Sequence, residues 1–364
     1  MYLRQVIYQM QQQIESLLPC FHRSERRNLA SMVVGMVYAR SVNLPHIASC
    51  VPLAQTQLEA RVQRFERVLK CRQLVPLEVL EPVARAVLSS LSQRGAEPLL
   101  ILMDRSMIND QLNLLWISVG YGRRALPLGW VRVPHEGNSD LALQQEILNW
   151  FKALLPEGVR AVIVADREFH SIRLAQWIKE ELKLDYVLRI KAGTYIELDG
   201  QSCQAGQFAV KGESVRLPEV KVTRREQNEY LTNLTIHWAA GEDEAWILAT
   251  NLEMQESIRV YERRFWIEEM FSDHKSRGLN LERTRITDPN RLERLVVAMT
   301  IAYLWIMEIG ALMLRQGKCK KVDNKGAQRS VSICQIGLRW LRELFHEGVL
   351  PPVLTMNFGA LEKT

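Results

Sequence analysis

The chain lacks most of the marks of a metal-cluster, disulfide-stapled or secreted protein. Its six cysteines (Cys20, Cys50, Cys71, Cys203, Cys319 and Cys334) contain no C-x-x-C pair, so neither a zinc knuckle nor a disulfide framework is indicated. A reducing, cytosolic setting fits that usage. There are only seven histidines; His170, His237 and His274 match no ligand spacing and read as scattered surface residues. Ser106 has no histidine partner to make it a nucleophile. The Gly120-x-Gly122 pair opens no helix and is no nucleotide loop. Signal-peptide pattern, internal repeat and low-complexity tract are all missing. One long apolar run exists, Leu295 to Leu314, interrupted only by Glu308. Its length would suit a membrane span, but a single such run in an otherwise globular chain reads as a buried helix.

What is present is a folded chain of 364 residues, 47% hydrophobic and 24% charged, long enough for two or three units around a sizeable core. The net charge of +6 is unevenly placed. Residues 1–95 hold twelve basic and six acidic side chains, a surplus equal to that of the whole chain, and all but one of the twelve are arginine. Arginine suits phosphate and base-edge contact, although a basic helix surface can also be merely solvated.

Periodicity divides the chain into five parts. Residues 1–95 show apolar residues at three-to-four spacing and read as an all-helical, basic, DNA-binding domain. Arg61, Arg64 and Arg67 recur every third residue and are the candidate DNA contacts there. Residues 96–190 alternate strands and helices: an apolar run ending at Asp104, two strands joined by the GYGRR hairpin, a helix, a second buried run ending at Asp166, a helix and a further strand. That order predicts a mixed α/β sheet. Residues 191–256 form a β-rich insertion, marked by Asp199-Gly200 and short alternating runs. Residues 257–315 return to helix, and 316–364 make a helical C-terminal region behind a basic stretch.

Two aspartates stand directly after buried strands, Asp104 after LLILM and Asp166 after AVIVA. A carboxylate in that place is costly unless paired, and strand C-termini open onto the functional crevice of α/β sheets. If the two strands are neighbours, both carboxylates can face one cation. Further on, Tyr261, Arg264, Glu268 and Lys275 have offsets of 3, 7 and 14, which gather them within about 60° on a helix. A tyrosine, an arginine, a carboxylate and a lysine on one stripe suit an anion together with a metal.

The spacing Y-x2-R-x3-E-x6-K resembles the signature of the DDE insertion-sequence transposases that carry a Tyr-Arg-Glu-Lys motif, the cut-and-paste, hairpin-forming group. ILMDRS and VADREF resemble the strands of that family's two aspartates, and Trp246-Ile-Leu-Ala-Thr250 its W-x-L-x-T strand. The run Gly278 to Arg285, then Arg291 to Leu295, resembles the approach to its long buried helix. Similarity spans about residues 100–315; residues 1–95 match only in being helical and basic.

The resemblance implies an RNase H-like mixed sheet with the β-rich insertion before the catalytic helix. It implies that Asp104, Asp166 and Glu268 are catalytic and bind two Mg2+ ions, with Mn2+ able to substitute. It assigns Tyr261, Arg264, Lys275, Trp246 and Arg285 to DNA or phosphate, Trp246 by stacking on a flipped base. The implied reaction is nicking, hairpin formation, hairpin opening and strand transfer, each an in-line attack on a phosphodiester. Implied partners are the element's terminal inverted repeats, target DNA and a second copy in a synaptic homodimer, with no membrane, in the cytoplasm of a prokaryotic cell at the nucleoid. Two other readings compete: a catalytically silent DNA-binding descendant of such an enzyme, and a tyrosine recombinase, which would leave both aspartates idle.

Overall fold

The structure, a computed structural model, describes residues 2–361 except 20, 53–56, 94, 96, 135–136, 223–229 and 324–330. Cys20 and much of the basic stretch after Gln316 therefore lie outside the described residues.

The chain begins with α1 (Tyr2–Leu17), α2 (Arg23–Ala39), α3 (Leu44–Cys50), α4 (Leu58–Lys70) and α5 (Pro76–Ser92). Local chemistry sets several ends. Asn43 accepts from the His46 amide to start α3, and the Glu25 side chain closes a capping box at the start of α2. Then follow β1 (Leu99–Ile108), β2 (Leu112–Tyr121), β3 (Arg124–Arg132), α6 (Leu141–Leu154), β4 (Ala161–Ala165), α7 (Ile172–Glu180) and β5 (Asp185–Arg189). The β2–β3 turn is Gly122-Arg123, both at positive φ, the backbone a two-residue hairpin needs.

The strands of the predicted insertion are β6 (Tyr195–Leu198), β7 (Gln201–Gln204), β8 (Ser214–Val222), β9 (Tyr230–His237) and β10 (Trp246–Thr250). All ten strands form a single mixed sheet in the order β3-β2-β1-β4-β5-β10-β9-β8-β6-β7. The insertion is thus no separate layer. It joins the sheet edge through β10, which pairs antiparallel with β5, Leu248 opposite Arg189 and Thr250 opposite Val187. β1 and β4 are parallel neighbours, as are β4 and β5. β4 is buried at every residue, as its unbroken apolar sequence requires.

Helices α8 (Met254–Glu262) and α9 (Phe265–Ser272) follow, then a π turn over Asp273–Arg277. The sequence suggested one helix here. The structure breaks it at Arg263 and Arg264 and again at the π turn, so the four spaced residues do not share one straight face. Helix α9 lies across β1, β2 and β3. Apart from a 3-10 turn over Leu281–Arg283, the chain then leaves helix until α10 (Pro289–Arg315), started by the Asp288 side chain, and later forms α11 (Ile333–Glu347).

Helix α10 is the hub. It packs against α2, α4, α5, α11, β2 and β3, and every residue from Leu295 to Ala311 is buried. Its most apolar stretch is 94% buried inside the protein, which accounts for an all-round hydrophobic helix. Where α11 crosses it the two backbones touch. A Cβ on Gly337 would stand 2.0 Å from the Ile306 carbonyl oxygen, and one on Gly310 2.1 Å from that of Ile333. The one charge in the run, Glu308, accepts from the amides of Thr355 (2.9 Å), Met356 (3.2 Å) and Asn357 (3.1 Å) and from the Thr355 hydroxyl. Burial raises its pKa against those bonds, and the carboxylate ties the last described residues to the core.

Candidate active site

The two aspartates meet by register, although only Asp166 ends its strand: β1 runs on to Ile108, and Asp104 pairs with Trp116 of β2 inside it, because the apolar run stops before the hydrogen-bonded ladder does. In the parallel β1–β4 pair, Met103 lies opposite Ala165. Asp104 and Asp166 are each the next residue, so they stand on the same rung of two adjacent strands. The Asp104 carboxylate accepts from the Arg105 amide at 2.7 Å. Asp166 caps the short 3-10 turn after β4 by accepting from the Glu168 amide at 2.8 Å.

Glu268 reaches the same place from the first turn of α9. Arg264 stands between: its guanidinium is 3.5 Å from the Asp104 carboxylate and donates to Glu268 one turn on. Its side chain is only 8% exposed, whereas that of Glu268 is 47% exposed. Asp104 and Glu268 thus share one contacting cation, and Asp166 stands beside Asp104. In consequence Asp104 is pushed up to about 7, first by burial, then by the charge of Asp166, with Glu268 adding a smaller push and Arg264 opposing. A displacement of that size corresponds to about 4 kcal/mol against the ionised form.

The remaining predicted residues fall into two sets. Tyr261 and Trp246 join the cluster. Their rings meet edge to face at 5.0 Å, and the Arg264 guanidinium lies 6.0 Å from the Tyr261 ring. Tyr261 is buried beneath Arg264 and not open to solvent. Its hydroxyl, also buried, forms no bond of normal geometry. Burial raises its pKa, while Arg264 and Arg189 beside it pull the other way. Trp246 is half-buried and also packs on His237 at 5.6 Å. Lys275 lies half-buried in the π turn, and Arg285 is exposed on the connection to α10; neither is drawn into the carboxylate cluster by a bond among the described residues. Far along the chain, Arg64 is half-buried and Arg67 exposed on α4. Arg61 instead points to the carbonyls of Ala48 and Val51 at the end of α3, 3.4 Å from each.

Sequence reasoning missed three residues at the site. Arg105 of β1 pairs with Glu168, in the 3-10 turn after β4, at 3.0 Å, immediately past the two aspartates. Arg189 ends β5, pairs with Glu244 at 2.9 Å and flanks Tyr261. The signal for Arg189 was the one that marked the aspartates, a charge terminating an apolar run. His274 was read as a surface residue. It is buried between the rings of Trp116 and Tyr303, and desolvation lowers its pKa to about 3.

Among the described residues no three histidine, cysteine or carboxylate side chains crowd closely enough to grip a single ion. Two ions shared over Asp104, Asp166 and Glu268 would need only two carboxylates each. The donor set is all oxygen, which hard divalent ions prefer. With Arg264 as its contacting cation, the trio carries a net charge of −2 once Asp104 is ionised, and that deficit fits divalent ions.

The family model for the transposase DDE domain matches residues 117–305 of the chain. That span holds Asp166, Trp246, Tyr261, Arg264, Glu268, Lys275 and Arg285; Asp104 precedes it. No curated protein matches the chain. Among solved structures, the cryo-EM structure of the piggyBac transposase synaptic complex with hairpin DNA is similar at a TM-score of 0.42 and 10% identity, over 99% of this chain and 84% of that one.

Proposed function

The chain belongs to the DDE transposases, enzymes that cut and join DNA with divalent metal ions, and from that premise we propose that it moves a DNA element by a cut-and-paste route through hairpin ends. It then falls in the group with the Tyr-Arg-Glu-Lys signature. Its sheet is of the RNase H type, residues 191–256 form the insertion, and residues 1–95 form a DNA-binding unit. The observation that supports this most is the shared rung of Asp104 and Asp166, with Glu268 facing them from α9.

Asp104, Asp166 and Glu268 would hold the two ions, Mg2+ or Mn2+. When bound, such ions activate the attacking water or 3′-hydroxyl and stabilise the leaving oxygen. The chain's own residues do the rest. The three carboxylates fix the point at which a phosphodiester is presented in line. Arg264, already inside the cluster, turns to the phosphate once its carboxylates are engaged elsewhere. Tyr261 props the Arg264 guanidinium and the Trp246 ring from below. The Trp246 face receives an unstacked base, and Lys275 and Arg285 lie on the segments that guide the DNA backbone. Four steps run at this one place: nicking at the element end, attack of the freed 3′-hydroxyl on the opposite strand, hairpin opening by water, and attack of the 3′-hydroxyl on target DNA. The partners are the terminal inverted repeats and target DNA, joined by a homodimer at the nucleoid in a prokaryotic cytoplasm. A tyrosine recombinase is disfavoured because the Tyr261 hydroxyl is buried.

The test is a nicking assay on duplexes carrying the ends of the element that encodes the chain. Wild type should nick them in Mg2+ and be silent in chelator. Glu268→Gln should abolish nicking and leave end binding intact, since it removes an ion ligand and no basic residue. Wild-type nicking by this variant rejects the assignment.

A further inference from the structure

Far from any residue of the proposed triad in sequence, α1, α2 and α4 enclose a concavity of about 940 Å³. Arg4 on α1, Arg23 and Arg27 on α2, and Arg64 and Arg67 on α4 all line it, with His22 at the mouth of α2. No acidic side chain among the described residues does so. Among the described residues none of the five guanidinium groups has a carboxylate partner, although acids are at hand nearby. Arg26, one residue before Arg27, pairs with Glu15, and Glu66 on α4 is taken by Lys70 and Arg291. Five like charges therefore face one space uncompensated.

We propose that this groove seats the sugar-phosphate backbone of one strand of duplex DNA, without regard to base sequence. The proposal rests on the reading of the chain as a transposase and gives its N-terminal helices a defined surface. Two features favour a backbone over a base edge. The arginines come from three helices and converge inward, whereas a major-groove reader presents one helix outward. A concave wall of a single sign focuses the field on a polyanion. Tyr8, 59% exposed on the rim, offers an additional hydroxyl to a phosphate. Arg61, which the sequence grouped with Arg64 and Arg67, is not part of the groove, because it is held against the end of α3.

The test measures binding of the full chain, by fluorescence polarisation over a range of salt, to the element-end duplex, to a scrambled duplex of equal length and to inorganic pyrophosphate as competitor. Two double variants probe different helices, Arg23→Gln with Arg27→Gln, and Arg64→Gln with Arg67→Gln; their melting temperatures confirm folding. Each should weaken both duplexes equally, by about tenfold at low salt, and reduce the slope of log K against log salt by about 1 per arginine removed. Unchanged affinity and slope in both variants overturns the proposal. So does a loss confined to the element-end sequence, or pyrophosphate binding that the variants abolish while DNA binding persists. If the groove variants lose DNA while Glu268→Gln still nicks, the groove stands and the triad falls. Normal DNA binding by the groove variants with a silent Glu268→Gln means the reverse.

Discussion

The Arg264 guanidinium lies 3.5 Å from the Asp104 carboxylate, bridging α9 to β1. In that position it occupies the space a divalent ion would contest. Arg264→Ala should therefore bind Mn2+ more tightly than wild type while cutting DNA about a hundredfold more slowly, because a donor to the phosphate is lost. Calorimetric titration and a nicking time course read the two effects, which have opposite signs. Weaker Mn2+ binding would show that Arg264 builds the ion site and does not compete for it.

The raised pKa of Asp104 gives stability a pH dependence. Below its unfolded value of 3.8 the side chain is protonated in both states. Between 3.8 and about 7 the folded protein holds a proton that the unfolded chain has released. Stability from this group is therefore present at acid pH and lost as pH rises through that window, by about 4 kcal/mol in all. Asp104→Asn lacks the effect. In chelator the variant should gain on wild type as pH goes from 5 to 7.5, followed by urea denaturation, and Mg2+ should stabilise only wild type. A pH-independent difference between the two proteins would contradict the burial of this carboxylate.

Trp246 packs edge-on against Tyr261 and is only partly buried. Base stacking on an aromatic face is worth about 1–3 kcal/mol. Trp246→Ala should thus slow hairpin formation by about tenfold or more and the first nick far less. Equal slowing of both steps, measured on separated gel bands, would assign Trp246 to packing alone.

Glu308 carries the amides of Thr355, Met356 and Asn357. Glu308→Ala leaves those buried donors unpaired, at a cost of about 2–4 kcal/mol, visible as a lower urea midpoint. Glu308→Gln keeps one acceptor and should fall between. A neutral alanine variant would mean that water replaces the carboxylate without loss.

The sequence carried the parts of this site that local patterns encode. Asp104 and Asp166 were visible because a charge ends an apolar run, though β1 continues four residues past Asp104, and the long α10 because it is apolar on all sides. What stayed hidden depends on pairing between distant segments. Nothing in residues 191–252 announces that β10 will pair with β5 and make the insertion part of one sheet. The break at Arg263–Arg264 and the π turn escape a fixed 100° step, so a stripe of four residues looked straighter than it is. The Arg105–Glu168 pair spans 63 residues, and the arginine groove gathers three helices; periodicity sees neither. Arg61 shows the converse, a residue in register with its neighbours whose guanidinium is spent on backbone carbonyls.

Continuity of the ten strands has a mechanical consequence. Three rungs, from Val187–Thr250 to Arg189–Leu248, bolt the insertion to the strand beside the one that carries Asp166. No seam is left along which those strands could swing apart without breaking backbone bonds. Asp104 and Asp166 therefore stand as one fixed jaw, their spacing set by backbone bonds.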